Sequence, residues 1–139
     1  MPDPAMAAGG PDPAMAAGGI EIADFPGRVR TAICGIVIAD STKAKILREG
    51  AYPPVFYFPP EDVRTADFMT ATETRTTCPK KGVARYWTFR LGDQEEPDLA
   101  WAYPDPIPAC AAIKDHIAFY WGRMDVWFVG DKPVSAPPA

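Results

Sequence analysis

Proline and glycine interrupt this chain often, and nowhere do apolar residues recur at helical spacing over fifteen residues. Seventeen prolines and eleven glycines are spread through 139 residues. The intervals between them are short and rich in β-branched and aromatic side chains, as strands are. Arg28 to Ile33 alternates polar and apolar residues, and after Gly35 the run Ile36 to Ala39 reads as the returning strand of a hairpin. Lys43 to Arg48 is a third short strand. Val55 to Phe58 is bracketed by Pro53-Pro54 and Pro59-Pro60, so it must be short or must meet its neighbour at a bulge. Glu73 to Thr77, Ala84 to Leu91, Leu99 to Tyr103, Ile117 to Trp121 and Asp125 to Val129 complete the set. Pro108 at a first turn, followed by Ala109 to Lys114, predicts the one short helix. Many short strands with little helix predict a mainly β, antiparallel barrel or sandwich.

The folded part is expected over residues 20–131 as one domain. Residues 2–10 and 11–19 carry the same nine residues, PDPAMAAGG, with no large aliphatic side chain to bury, so 1–19 reads as a disordered repeat tail. Residues 132–139 read as a second tail. The net charge of −4 supplies no basic field to attract nucleic acid, and no apolar run approaches the ~20 residues of a membrane span. Cys34, Cys78 and Cys110 are odd in number, far apart and in no C-x-x-C pair, which fits a reducing compartment; the first cation is Arg28, unlike a signal peptide. The expectation is a cytoplasmic protein of unspecified oligomeric state.

Three stretches carry a family resemblance: Tyr52-Pro53-Pro54-Val55-Phe56-Tyr57-Phe58-Pro59-Pro60-Glu61-Asp62-Val63, then Thr77-Cys78-Pro79-Lys80-Lys81-Gly82-Val83-Ala84-Arg85-Tyr86, then Ala100-Trp101-Ala102-Tyr103-Pro104. With Ile38-Ala39-Asp40-Ser41 before them and Ile117-Ala118-Phe119-Tyr120 after, their order and spacing resemble the family called domain of unknown function four-twenty-seven, over about residues 28–129. The resemblance implies a β-tent-like fold, shared with zinc-bearing guanine-exchange-type proteins and B-type methionine sulfoxide reductases. Zinc in such relatives sits between two C-x-x-C pairs; this chain has none, so no zinc is expected, and any other cofactor is open. The family also bears a nucleotidyltransferase label. That chemistry needs paired carboxylates for metal and a phosphate cradle. The sequence offers neither an Asp-x-Asp on a strand nor a Gly-rich loop leading into a helix. It also departs from the family pattern at Lys80, where an aromatic residue is common, and at Val83, where a polar one is.

Four groups of side chains carry the chemistry available. Cys78, at a strand end before Pro79, has Lys80 and Lys81 beside it, and a nearby ammonium favours a thiolate nucleophile; the alternative is a small buried hydrophobe. Cys34 and Cys110 read as core. Lys81 precedes Gly82, whose positive φ lets a ligand approach the backbone, and could anchor an anion; the alternative is an exposed turn lysine. Tyr57, Tyr86, Trp101 and Tyr103 are aromatics with polar tips. Tyr86 and Thr88 share one strand face while Trp87 and Phe89 share the other, and Trp101 and Tyr103 lie opposite Ala100 and Ala102. They would wall a pocket or fill a core, with Tyr57 and Tyr103 best placed to reach a ligand. Glu61, Asp62 and Arg64 follow a diproline, and a carboxylate there could meet Lys81. His116 beside Asp115 could complete a triad with Cys78, against which the family pattern has Tyr near this position.

The reading that combines most of these residues is a small-molecule or anion-binding module, its aromatic pocket lined by Tyr57, Tyr86, Trp101 and Tyr103 with Lys81, Asp62 and Arg64 contributing polar contacts. A Cys78-dependent enzyme and a protein-interaction domain without a small ligand are the alternatives.

Overall fold

A computed structural model describes residues 19–138, and within it the chain is mainly β. Eleven strands are described: β1 (Ile20–Asp24), β2 (Val29–Ile33), β3 (Ile36–Ser41), β4 (Lys45–Glu49), β5 (Val55–Tyr57), β6 (Met69–Cys78), β7 (Gly82–Leu91), β8 (Gln94–Ala102), β9 (Ile117–Phe119), β10 (Val126–Val129) and β11 (Lys132–Val134). One helical turn, α1 (Thr65–Phe68), and 3-10 turns at Pro60–Asp62, Pro108–Ile113 and Trp121–Arg123 connect them. The N-terminal repeat lies outside the described residues, apart from Gly19.

The strands form three antiparallel sheets in the orders β1-β4-β5, β11-β10-β2-β3 and β6-β7-β8-β9. They pack as a sandwich and do not close into a barrel. The first and third sheets are tied where Phe58 and Ile117 exchange both backbone hydrogen bonds at 2.8 Å. Because strand side chains alternate, a strand covered on both sides feeds two cores. Strand β5 sends Phe56 to one core and Tyr57 to the other. In the third sheet, Phe89, Ala100 and Ala102 join the first core, while Tyr86, Trp101 and Tyr103 join the second. The facial sorting expected of β7 and β8 is therefore the one observed.

Three local expectations are corrected. Pro108–Ile113 is a 3-10 turn with a break at Cys110 (φ −111°, ψ 18°), not an α-helix over Ala109 to Lys114. Six residues are too few to sustain an α-helix on propensity, and the three-residue repeat keeps Cys110 and Ile113 on one buried face. The strand expected to reach Trp121 ends at Phe119, and the 3-10 turn Trp121–Arg123 swings Trp121 back onto Trp127 with ring centroids 4.1 Å apart. Lys132–Val134, read as tail, is an edge strand: Val129 pairs with Lys132 across Gly130-Asp131, and an edge tolerates Pro133.

Candidate functional site

The β6–β7 turn and the polar-tipped rings do converge. Cys78, Tyr57, Tyr86, Trp101, Tyr103 and Cys110 belong to one cluster, together with Leu47 and Ile113. Its interior is packed. Tyr57, Tyr86 and Tyr103 are 0% exposed and Trp101 is 2% exposed. The buried phenols and indole bond one another or neighbours: Tyr86 Oη lies 2.8 Å from Thr76 Oγ1, and Trp101 Nε1–H donates to Tyr57 Oη at 3.3 Å. Tyr57 and Trp101 meet edge to face. The rings expected to wall an open pocket are core.

Lys81 is the unexpected member. It is 0% exposed, and its ammonium donates to Glu49 Oε1 at 2.8 Å, while Lys80 Nζ stands 3.5 Å from Glu49 Oε2. Neither the exposed-turn reading nor the free anion anchor describes it. Glu49 shares the strand face of Leu47, which points into this same cluster, and closes a buried two-lysine, one-carboxylate group. Nothing in the sequence marked Glu49, because the contact spans thirty-two positions. Gly82 explains how the group is sealed. Its φ is +125°, and a Cβ there would stand 3.1 Å from the Asp105 carbonyl oxygen and 3.3 Å from Pro106 Cα. The close approach foreseen for a ligand is made by the chain's own Asp105–Ile107 segment, whose Ile107 N–H donates to the Lys81 carbonyl at 3.0 Å. Cys78 is 3% exposed and belongs to the cluster against which Ile107 packs. Burial pushes the Cys110 thiol up, with nearby Lys81 opposing the shift.

Other predicted site residues lie elsewhere. Asp62 accepts from Ser41 Oγ at 2.6 Å, and Arg64 pairs with Asp67 at 3.2 Å while its guanidinium covers Phe68. His116 Nδ1 lies 2.9 Å from the Lys114 carbonyl. Cys34, read as core, is exposed. With Gly35 it forms the two-residue β2–β3 loop, both at positive φ (52° and 77°), a turn whose geometry directs the side chain outward. Among the described residues no three His, Cys, Asp or Glu side chains gather as a metal site requires, and no helix is long and apolar enough to cross a membrane.

An open hollow does exist, beside the cluster instead of inside it. A groove of about 440 Å³ runs between Pro53-Pro54, the Tyr120–Arg123 turn and Ser135–Pro137, with Trp101 and Phe56 at its floor. Trp121 stacks on Trp127 within 4° of parallel, and Tyr120 lies 5.0 Å from Trp101 between ring centroids. Three indole N–H groups near it are directed to protein oxygens: Trp101 to Tyr57, Trp127 to the Trp121 carbonyl at 3.1 Å, and Trp121 to the Ser135 carbonyl at 3.3 Å. Arg123 donates to the Pro97 carbonyl at 2.8 Å and pairs with Glu96 at 3.5 Å. The groove therefore offers ring faces and proline edges more than free hydrogen-bonding groups. Trp101 is the predicted site residue that reaches it. Trp121 and Tyr120 were missed as site residues because the run Ile117 to Trp121 reads as plain strand.

No curated protein matches this sequence. Residues 21–130 match the profile of a family described as a domain of unknown function, DUF427, in which nucleotidyl transfer appears only in the short family name. With that match covering most of the chain, from β1 to the end of β10, the protein belongs to the DUF427 family.

Proposed function

We propose that this domain is a small-molecule binding module whose ligand seats in the groove between Pro53-Pro54 and the Tyr120–Arg123 turn. The observation carrying the reading is a concave surface of about 440 Å³ walled by aromatic rings, the size and character of a small-ligand site. Because the neighbouring indole N–H groups already have acceptors, recognition rests on stacking and apolar contact, which suits a flat, weakly polar ligand. The Tyr57, Tyr86 and Tyr103 cluster acts behind the groove as its rigid support. The Lys81–Glu49 pair belongs to that support and not to an anion site, since its charges face each other away from water. A cysteine-dependent enzyme is the weaker reading, because Cys78 is only 3% exposed.

A thermal-shift screen with flat bicyclic heteroaromatic fragments tests this. Fragments that raise the melting temperature of the unaltered chain lose that effect in Trp121→Leu and keep it in Lys43→Ala, a change at an exposed residue away from the groove. Stabilisation that survives Trp121→Leu, or a library that stabilises nothing, overturns the proposal.

A further inference from the structure

The wall of the groove formed by Ser135–Pro137 differs in kind from the others. It is not sheet; it is the chain leaving β11 and lying across the aromatic surface. The Trp121 indole N–H is directed at the Ser135 carbonyl at 3.3 Å. A second hollow of about 470 Å³, bordered by Arg48 and Tyr52, shares Pro53, Pro54, Ala136 and Pro137 with the first. The two hollows thus adjoin along Pro53-Pro54 and Ala136-Pro137, and together form one depression. The C-terminal segment there reads Ser135-Ala136-Pro137-Pro138.

We infer that this depression is a dock for extended proline-bearing peptide segments, partly occupied in cis by Ser135–Pro137. The chemistry fits that class. Aromatic faces grip proline rings, and an indole N–H recognises a backbone carbonyl, in the recurrent mode of proline-rich recognition. Proline segments are already extended in solution, so docking orders little additional backbone. The inference rests on the proposed function only in requiring that the groove be accessible.

The cis segment makes a measurable demand. Tethered a few residues from its seat, it has an effective concentration of roughly millimolar. A peptide offered in trans with a dissociation constant near ~0.1 mM must therefore compete at a disadvantage of about tenfold. The experiment uses the full-length chain and a full-length variant carrying Ala136→Gly, Pro137→Gly and Pro138→Gly, each titrated with the octapeptide KPVSAPPA while the indole N–H resonances are followed by NMR. The expected result is saturable movement of the Trp121 indole in the variant, about tenfold weaker binding to the unaltered chain, and loss of binding when the peptide's prolines are alanine. Trp121→Phe in the variant background, which keeps a ring and removes the donor, weakens binding further, as read from the Trp101 and Trp127 indoles that also line the groove. Equal binding to both chains, equal binding of the alanine peptide, or no movement overturns the inference. The same samples are then titrated with a bicyclic fragment. Fragment binding at Trp121 without peptide binding leaves the groove reading intact and removes the proline dock; failure of both removes both.

Discussion

Lys81 is 0% exposed and its ammonium faces the Glu49 carboxylate, which Lys80 faces as well. Removing one partner of a buried pair leaves the other charge desolvated, at a cost of about 3–5 kcal/mol, whereas replacing both by apolar groups is often near neutral. Glu49→Leu, which takes the carboxylate from both lysines, is therefore expected to lower stability by that order, and Lys81→Met by less, because Lys80 still stands 3.5 Å from Glu49. Lys81→Met made in the Glu49→Leu chain should cost much less, as read from urea midpoints at constant slope. Additive losses would contradict a coupled pair. The cysteines differ by the same logic of access. Cys34 is exposed, Cys78 and Cys110 are buried, and burial holds the Cys110 thiol above its ordinary range, so iodoacetamide at pH 8 should label one site quickly. Cys34→Ser should abolish that fast phase; a fast phase at Cys78 would revive the nucleophile reading. The sequence placed Cys78 and Lys81 in one turn correctly but could not say which way the turn faced, because the Asp105–Ile107 segment that covers it lies more than twenty positions away.

The β6–β7 hairpin shows what an element needs beyond its own residues. Gly82 holds φ at +125° with the Asp105 carbonyl oxygen 3.1 Å from where a Cβ would stand. Gly82→Ala adds backbone strain to a clash against main chain, and should destabilise by about 1–3 kcal/mol and expose Cys78 to alkylation. A neutral effect with Cys78 still protected would mean that the loop does not depend on this approach. Strand faces were readable at this scale. Alternation separated Tyr86 from Trp87 and Phe89, and Trp101 and Tyr103 from Ala100 and Ala102, as burial later did. What alternation could not give was the number of covered faces. A ring on a strand face reads alike whether it meets a second sheet or solvent, and here the β4–β5 sheet and the Pro108–Ile113 turn cover the tyrosine face. Edge strand β11 was hidden by its proline content, which an interior strand would not accept but an edge does.

Across the whole molecule, three sheets generate two cores, and the groove lies where the cover over the second core stops. Trp101 belongs to that core and also forms part of the groove floor, so the packed interior supports the open surface. The order and spacing of the motifs along the chain pointed to the DUF427 family and a β fold; the family match bears out the first and the strands bear out the second. The groove was not legible, because it is assembled from a diproline, a 3-10 turn and chain beyond residue 132. The most direct test of this division between solid core and open groove is an NMR titration of the backbone amide and indole N–H resonances with a stabilising bicyclic fragment. The Trp121 resonance is expected to move most and to saturate, while the resonances of Lys81 and Tyr86 stay in place. Movement centred on Lys81 and Tyr86, with Trp121 unperturbed, would contradict it.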